Sequence, residues 1–393
     1  MRVAAVVAAV LAAVVGIAAC GSDPDGGTPA QPATTPSTSA GHGHGAPFTP
    51  PPAAPLRAGE RFLNLAMAKP YTPAAPNGGT DEYRCFLVDP KLAGDGFLTG
   101  SQFLPQNSAI VHHAIFFRIS PADVAEARAT DARTPGDGWT CFGDSGIGDD
   151  SSWVGHWAPG ANETLLTSGV GYPMPAGSQL VMQIHYNLLA TGGKAGGSDQ
   201  SGVRLRLTDG KTTLAPLETA LLPAPVELAC APNESGTLCD RDAAIRDVGT
   251  RFGRDAAQEV AELNQYCNKT RTPAASATQR CDHEVPQAAT VYALAGHMHL
   301  LGRSIKVELN PGTAKARTLL DVPVYNFDAQ AIQPLATPVS LAAGDTLRVT
   351  CTHDVTLRQR LPQLRTQPAR YVVWGDGTSD EMCLGLVILT PRR

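Results

Sequence analysis

Short runs of apolar residues, or of alternating apolar and polar residues, recur along most of the chain. Strands with one or two buried faces produce such runs, and Gly, Pro, Asn and Asp at their ends are typical of turns. The clearest predicted strands are residues 111–119, 179–188, 203–207, 290–301, 304–309, 346–352 and 382–390. The pattern predicts an all-β fold built from antiparallel sandwiches.

Two segments interrupt the strand pattern with helical spacing. Ser120 and Pro121 suit the cap and first position of a helix over residues 122–130. Residues 255–265 also carry apolar positions at helical spacing, in a polar stretch bracketed by cysteines. We interpret this second segment as a small helical insertion that disulfides hold in place.

The first 57 residues predict export and a tether. Residues 1–19 hold Arg2 and then an apolar run that is short for a membrane span, which is typical of a secretion signal. The run ends at Cys20 in a sequence similar to a bacterial lipoprotein cleavage box. We therefore predict lipidation of Cys20, with an ordinary cleaved signal as the alternative. Residues 20–57 are rich in Pro, Gly, Ser and Thr and predict a disordered linker.

Length, charge and cysteine content narrow the class of protein. Residues 58–393 exceed what one core usually covers, and we predict two domains, 58–208 and 209–393. The net charge of -5 gives no basic field, so nucleic acid is not an expected partner. Nine cysteines are present. The number after Cys20 is even, which favours disulfides in an exported chain but leaves their connectivity open.

Residues 296–302 place two histidines inside an apolar run. In a strand, His297 and His299 would share one face and would form half of a metal site. Met382 begins the last predicted strand after a polar turn. Core filler is the usual role of such a methionine, but a thioether beside two imidazoles would suit Cu(I).

Two further histidine clusters are candidates for a second site. His112 and His113 are adjacent, so both reach one metal only at a strand end or a β-bulge; otherwise one lies in the core and one in water. His185 shares a strand face with Gln183, and a lone strand histidine is more often structural than a ligand. Together the three imidazoles would suit copper, zinc or iron without discriminating among them.

The order of these motifs resembles that of a known family. A His-His pair, a Gln-x-His-Tyr strand, a His-x-His-x-Leu-Gly strand and a terminal Asp-Glu-Met-Cys follow one another, with Trp157-Ala158-Pro159-Gly160 upstream of His185. They are similar to the type II copper, ascorbate-dependent monooxygenases, which include peptidylglycine α-hydroxylating monooxygenase and dopamine β-monooxygenase. The resemblance covers nearly all of residues 58–393.

The resemblance implies two jelly-roll-like domains, each with one copper ion, separated by an open cleft. The implied ligands of an electron-storing copper are His112, His113 and His185. The implied ligands of a copper that binds dioxygen and attacks a substrate C–H bond are His297, His299 and Met382. A one-electron donor such as ascorbate would reload both ions.

The resemblance also implies roles for three other residues. Gln183 would support the electron-storing copper from beside His185. Cys351 and Cys383 would form a disulfide that holds the strand carrying Met382. The other six cysteines have no counterpart that fixes their pairing.

The substrate-binding positions depart from those of the peptide-amidating members. Those enzymes hold a substrate carboxylate with an arginine shortly before the His-x-His, where this chain has Ala-Leu-Ala-Gly at 293–296. They also use Asn and Tyr after the Met-Cys, where this chain has Leu384 and Leu386. A carboxylate without its bidentate arginine binds poorly. The sequence therefore disfavours peptidylglycine and favours a less polar substrate.

The leading hypothesis is an exported copper monooxygenase that hydroxylates a C–H bond of a small organic substrate with O2 and a one-electron reductant. We expect a monomer anchored by lipid to the cell envelope, at the outer face of the cytoplasmic membrane or at the outer membrane. The alternative is a non-catalytic exported copper-binding protein on the same fold. A sandwich without metal would require the histidine and methionine positions to match by coincidence.

Overall fold

The computed structural model describes residues 51–148 and 151–392. All of them fall in one compact unit. The predicted signal segment, Cys20 and most of the predicted linker lie outside the described residues. Within the described part, no helix has the length and apolar character needed to cross a membrane.

The described residues form 21 strands. The strands before residue 217 are β1 (Glu60–Ala66), β2 (Asp81–Val88), β3 (Gly96–Leu104), β4 (Val111–Ile119), β5 (Trp139–Thr140), β6 (Ser152–Trp157), β7 (Thr164–Leu165), β8 (Val170–Met174), β9 (Gln179–Asn187), β10 (Gly202–Asp209) and β11 (Ala215–Pro216). The later strands are β12 (Glu218–Pro223), β13 (Glu227–Leu228), β14 (Thr278–Glu284), β15 (Ala289–His297), β16 (Gly302–Leu309), β17 (Arg317–Val322), β18 (Gln333–Leu341), β19 (Thr346–His353), β20 (Val372–Val373) and β21 (Leu384–Pro391).

The helices of the described residues are few and short. The α-helices are α1 (Val124–Arg133), α2 (Arg241–Phe252), α3 (Arg254–Asn268) and α4 (Leu357–Arg360), and the 3-10 helices are Pro76–Gly78, Leu189–Thr191 and Thr237–Cys239. The predicted helices over 122–130 and 255–265 correspond to α1 and α3. Helix α2 was missed, although Asp240 caps it by accepting the Ala243 N–H at 2.8 Å.

The earlier strands form two sheets that share one core. Their orders are β1-β10-β3-β8-β11, with β7 beside β3, and β5-β2-β9-β4-β6. Among these strands only β8 and β11 pair in parallel. The shared core includes Phe103, Phe116, Met182 and Leu205, and burial of such side chains is the main source of stability. Helix α1 covers the opposite face of the second sheet, where Ala127 packs near Ile119.

The later strands form a second sandwich. Its sheets are β12-β21-β15-β18 and β14-β19-β16-β17, and β13 pairs with β20. Their core includes Val291, Val307, Val349 and Leu386, and it continues into the helices through Val248. The fold is thus the predicted all-β sandwich. Within the described residues no sheet combines strands from before and after residue 217, and the domain boundaries 58–208 and 209–393 stay a prediction.

Four disulfides join cysteines of the described residues. They are Cys85–Cys141, Cys230–Cys239, Cys267–Cys281 and Cys351–Cys383. The predicted Cys351–Cys383 bridge is confirmed. Cys239 precedes α2 and Cys267 lies near the end of α3, so disulfides bracket the helical insertion as predicted.

The structure corrects the predicted end of the disordered linker. Residues 51–57 are placed against the first sandwich, because the buried guanidinium of Arg206 donates to Ala54 O at 2.7 Å and to Pro55 O at 3.0 Å. The same guanidinium pairs with Glu60 and Glu163 at 2.8 and 2.7 Å. A buried guanidinium needs acceptors for all its N–H groups, and this stretch of backbone supplies two of them.

Candidate metal centre

The first histidine cluster forms where β4 and β9 run side by side. His113 lies opposite His185 in the antiparallel register, and the register shifts between Val111 and His113. Such a bulge breaks the alternation of side chains along the strand. His112 and His113 can therefore approach the same point, as the sequence required for both to be ligands.

The three rings converge through their Nδ1 atoms. The His113 Nδ1 lies 3.1 Å from the Nδ1 of His112 and 3.3 Å from that of His185. One ligand atom from each of the three residues lies within 4.8 Å of the others, and all three side chains are buried. Three ring nitrogens at these distances form a compact set of lone-pair donors that suits a metal ion.

Two residues of β2 fix the orientation of His185. Asp81 Oδ1 accepts a hydrogen bond from His185 Nε2 at 2.9 Å, so Nδ1 is the nitrogen left to bind a metal. The ring of Tyr83 stacks on His185 with 4.2 Å between centroids. Sequence reasoning missed both residues, because charged side chains mask the strand signal of β2. A carboxylate in an otherwise buried strand was the available signal.

The three imidazoles of the first cluster have lowered pKa values, so they are neutral at neutral pH. Burial, reinforced by the neighbouring imidazoles, holds the pKa of His112 and of His113 well below the usual histidine range. Burial also lowers the pKa of His185, although the bond to Asp81 opposes it. Neutral imidazole is the form that binds a metal.

The second cluster departs from its predicted strand. Strand β15 ends at His297, so His299 lies in a turn and the expected alternation along residues 290–301 does not hold. The hydroxyl of Tyr325 accepts from Met298 N at 2.9 Å and donates to Met298 O at 2.6 Å. The Glu381 carboxylate accepts the His299 N–H at 2.9 Å. These bonds hold the backbone out of the sheet. The His297 and His299 rings still lie close together, with 5.2 Å between their centroids.

Each ring of this pair has one nitrogen engaged and one available. His297 donates from Nδ1 to Gln330 Oε1 at 2.6 Å, and His299 donates from Nδ1 to Asp380 O at 3.3 Å. The buried Nε2 of His299 has no hydrogen-bond partner among the described residues. Burial, followed by the His299 ring, lowers the pKa of His297 to about 3. Both rings therefore suit metal binding through Nε2.

Met382 precedes β21, which begins at Leu384 rather than at residue 382. It lines the same cavity as His297. The segment before it is fixed by Asp380, whose carboxylate takes two 2.7 Å hydrogen bonds from Arg251. Burial alone would raise the pKa of Asp380, but the guanidinium of Arg251 holds it below its usual value. That Met382 is a ligand stays a prediction.

The two histidine clusters meet, which corrects the expectation of an open cleft between them. The rings of His113 and His297 lie 5.5 Å apart at 84°. Phe327 stacks on His112 with 4.1 Å between centroids, and it lies 6.3 Å from the His299 ring. A loop between β17 and β18 reaches both clusters, and the sequence pattern held no signal for its path.

Comparison with known proteins bears on the second cluster. Residues 255–391 match the model of a family described as copper type II ascorbate-dependent monooxygenase, C-terminal domain. Residues 255–391 are therefore similar to this copper monooxygenase domain family. The matched range includes His297, His299 and Met382, and its first residue lies in α3. The predicted resemblance is confirmed for this region.

Solved structures resemble the chain only weakly. The major capsid protein P2 from Bacteriophage PM2 is 8% identical, with 85% of this chain and 98% of that chain covered and a TM-score of 0.30. A structure of allantoicase is 11% identical, covering 81% and 90%, with a TM-score of 0.19. A Paenibacillus xanthan lyase is 14% identical, covering 84% and 26%, with a TM-score of 0.17. Scores this low support no argument about this chain.

A cavity of about 600 Å³ opens beside both histidine clusters. His113, His297 and Met382 form part of its wall. Its large apolar side chains are Phe142, Trp153, Trp157, Phe252 and Trp374, and Leu384 and Leu386 also line it. Its carboxylates are Asp144, Asp255, Glu259 and Asp376, and no Lys or Arg is among its described lining residues. Burial, with Glu259 nearby, raises the pKa of Asp376 to about 7.

Gln183 also lines this cavity. Its Nε2 donates to Asp144 O at 2.8 Å and lies 3.4 Å from Cys141 Sγ, while its buried Oε1 has no partner among the described residues. No described hydrogen bond joins it to His185. The supporting role predicted for Gln183 beside the first cluster therefore stays a prediction, and its contacts tie it to the loop that carries Asp144.

Proposed function

We propose that this protein is a copper-dependent monooxygenase that hydroxylates a C–H bond of a small organic substrate with O2 and a one-electron donor such as ascorbate. One observation carries the proposal. A buried set of three imidazoles and a second, partly buried pair of imidazoles adjoin a single cavity large enough for a small molecule. The first set is His112, His113 and His185, and the second is His297 and His299 with Met382.

The donor sets fit copper in both oxidation states. Three imidazoles tolerate Cu(I) and Cu(II), and a thioether beside two imidazoles favours Cu(I). Copper bound at the two sites would supply one electron at each, and O2-dependent hydroxylation needs two. The protein's part is to orient the rings. Asp81 accepts a hydrogen bond from the His185 ring and Gln330 accepts one from the His297 ring, which leaves the opposite ring nitrogen for the metal.

The cavity wall supports an apolar substrate that carries no carboxylate. Ala295 and Gly296, where the peptide-amidating enzymes have their arginine region, line the cavity together with Leu384 and Leu386. Aromatic and aliphatic walls favour a small apolar molecule. Carboxylates without a partner cation in the lining repel an acid and favour a neutral or positively charged compound.

We also propose that the protein is exported and anchored through lipid on Cys20. Four disulfides favour an oxidising compartment. The test is metabolic labelling with a fatty acid, which should mark the natural chain and should fail to mark Cys20→Ala. An unlabelled natural chain in the membrane-free fraction would indicate an ordinary cleaved signal.

Copper counting and oxygen uptake test the activity. The purified protein, reconstituted with copper, should bind two ions per chain and should consume O2 with ascorbate when a suitable substrate is present. Met382→Ile should lose turnover and keep copper at the three-histidine site. A storage protein would show two bound ions, no substrate-dependent O2 uptake across a broad panel, and only weaker Cu(I) binding in Met382→Ile. Fewer than two ions in the natural protein would overturn the proposal.

A further inference from the structure

The residues on both sides of Met382 are held by other parts of the second sandwich. Glu381 is fully buried, and its carboxylate accepts the His299 N–H at 2.9 Å and the Leu301 N–H at 2.5 Å. Cys383 forms its disulfide with strand β19. The chain around Met382 is therefore tied to the turn after β15 and to β19.

His353 holds Met382 itself. It ends β19, is 3% exposed, and lies opposite Gly302, the first residue after that turn. Its Nε2 lies 3.4 Å from the carbonyl oxygen of Met382 and 3.4 Å from Glu381 Oε2. Both neighbours are acceptors, so Nε2 carries the proton and donates to them. One side chain thus reaches the main chain of Met382 and the side chain of the residue before it.

The other ring nitrogen of His353 shows that stability alone does not explain this histidine. Its buried Nδ1 has no hydrogen-bond partner among the described residues. With the proton on Nε2, Nδ1 is an acceptor that folding has taken out of water, and such an atom destabilises the folded state. A phenylalanine would fill a similar volume without the unpaired nitrogen. The contact of Nε2 with the Met382 segment remains as the reason for an imidazole at this position.

A methionine ligand depends on its main chain more than a histidine ligand does. The imidazoles of His297 and His299 are each oriented by a hydrogen bond on one ring nitrogen. A thioether has no N–H or O–H through which a neighbour could orient it in this way. The side chain is also long, unbranched and flexible. The placement of the Met382 sulfur must therefore come from its backbone and from the packing around it.

We propose that His353 is a positioning residue that fixes the main chain at Met382, so that Met382 lines the same cavity as His297. Glu381 completes the link, because its carboxylate lies beside His353 and holds the turn that carries His299. The placement of Met382 rests on these contacts alone. That the placed thioether serves a metal rests on the proposed function.

Nuclear magnetic resonance of the metal-free protein with isotope-labelled methionine methyl groups tests the placement. Met382→Ile identifies the Met382 signal by its loss. In His353→Phe this signal should shift or broaden, while the signals of Met174 and Met182 in the first sandwich stay unchanged. His353→Gln places an amide N–H near the position of Nε2 and should restore the natural signal. His353→Asn is too short to place its amide there and should behave as His353→Phe.

His283→Phe serves as the control. His283 lies in β14, the strand beside β19, and its Nε2 lies 2.9 Å from Pro223 O, so it also donates to a main-chain carbonyl. This variant should leave the Met382 signal unchanged. Denaturant unfolding completes the comparison. The midpoint of His353→Phe should stay close to that of the natural protein, because the variant loses the unpaired Nδ1 together with the contact of Nε2.

X-ray absorption of the Cu(I)-loaded protein tests the metal-bound form. The natural protein should show sulfur among the neighbours of copper, and Met382→Ile should lack it. His353→Phe should lose most of this sulfur contribution at an unchanged copper count. Its Cu(I) affinity at the site of His297 and His299 should fall by about tenfold, the lower end of the usual effect of losing a residue that orients a ligand. His353→Gln should retain both properties.

Two results would overturn the inference. One is a folded His353→Phe variant with the natural Met382 signal, whatever its stability, since His353 would then serve the fold alone. The other is a His353→Gln variant with the same changed signal as His353→Phe, since the effect would come from loss of the ring and not of its N–H. A natural protein that binds no copper, and whose Met382 signal still responds to His353→Phe, would instead reject the proposed function and support the positioning role of His353.

Discussion

Asp81 orients one ring of the first cluster, that of His185, through a hydrogen bond. It is buried, accepts from His185 Nε2 at 2.9 Å, and also accepts from the Thr80 hydroxyl at 2.9 Å. Burial alone would raise the pKa of Asp81, but the bond to His185 keeps it below its usual value. The carboxylate therefore stays charged and makes the opposite nitrogen of His185 a better donor.

Asp81→Asn should weaken copper binding at the three-histidine site by about 10- to 100-fold, the usual effect of losing such a partner. The site of His297 and His299 should keep its affinity. Titration with a competing chelator measures both. Thr80→Val removes a neighbouring hydroxyl and should change affinity far less. Equal weakening at both sites would mean that Asp81 supports the fold and not the ring.

Asp376 should make stability depend on pH in the direction opposite to most carboxylates. Its pKa is about 7 in the folded protein against an ordinary value of 3.8. Between these values the folded state holds a proton that the unfolded chain has released, so stability falls as pH rises through this window. Asp376→Asn should remove the loss and stabilise the metal-free protein at pH 8 by up to about 4 kcal/mol, with no gain near pH 4.

Denaturant unfolding from about pH 4 to 8 checks this dependence. Asp282→Asn is a suitable control, because its hydrogen bond from Arg348 lowers the pKa of Asp282 and moves its effect below this range. A stability difference between Asp376→Asn and the natural protein that does not change with pH would contradict the assignment.

Sequence predicted the histidines but not the residues that orient them. His112, His113, His185, His297 and His299 are recognisable by type and spacing. Their partners come from strands and loops far along the chain, with 104 positions between His185 and Asp81 and 33 between His297 and Gln330. No local pattern links such pairs, since only the sheet order brings them together.

At the scale of elements, periodicity located seven of the 21 strands of the described residues, but not always their ends. Strand β4 matches its predicted bounds, whereas β15 stops at His297 and β21 starts at Leu384. At the end of β15, side chains from elsewhere hold the backbone out of the sheet: the Tyr325 hydroxyl binds Met298, and the Glu381 carboxylate binds the His299 N–H. Apolar residues continue past the strand end because the turn is buried as well.

The helical insertion should stabilise the segment that carries Met382. Arg251, in α2, holds the buried Asp380 through two 2.7 Å hydrogen bonds, and Arg370 adds one at 3.2 Å. Arg251→Met should destabilise the protein by about 3 kcal/mol, because a buried charge loses its main partner. Denaturant unfolding measures the loss.

The matched control for Arg251→Met is Arg348→Met, which removes a partner of the half-exposed Asp282. It should cost less than about 1 kcal/mol, as for other surface ion pairs. If the two variants lose the same stability, the buried ion pair of Arg251 and Asp380 stabilises the protein no more than a surface ion pair does. Copper binding at the site of His297 and His299 should also weaken only in Arg251→Met, since Asp380 O contacts the His299 ring.

At the scale of the whole molecule, sequence predicted the two sets of strands and their disulfide-bracketed insertion, but not how the sets meet. The contact between His113 and His297 is made by side chains from separate sheets, and the loop between β17 and β18 that reaches both clusters has neither helix nor strand. Hydrophobic periodicity describes the inside of each sheet. It carries no information on which loop crosses to the neighbouring core.

This contact predicts that copper stabilises both sandwiches together. A ligand that binds only the folded state adds stability that grows with its concentration, about 2.7 kcal/mol at a hundred times the dissociation constant. Because His113 and His297 touch, opening either sandwich removes support from the cluster on the other. Copper should therefore raise one common unfolding transition, and amide exchange should slow in β4 and β9 as well as in β15 and the turn after it. Two transitions, of which copper shifts only one, would show that the clusters are energetically independent, and Phe327→Ala should move the protein toward that behaviour.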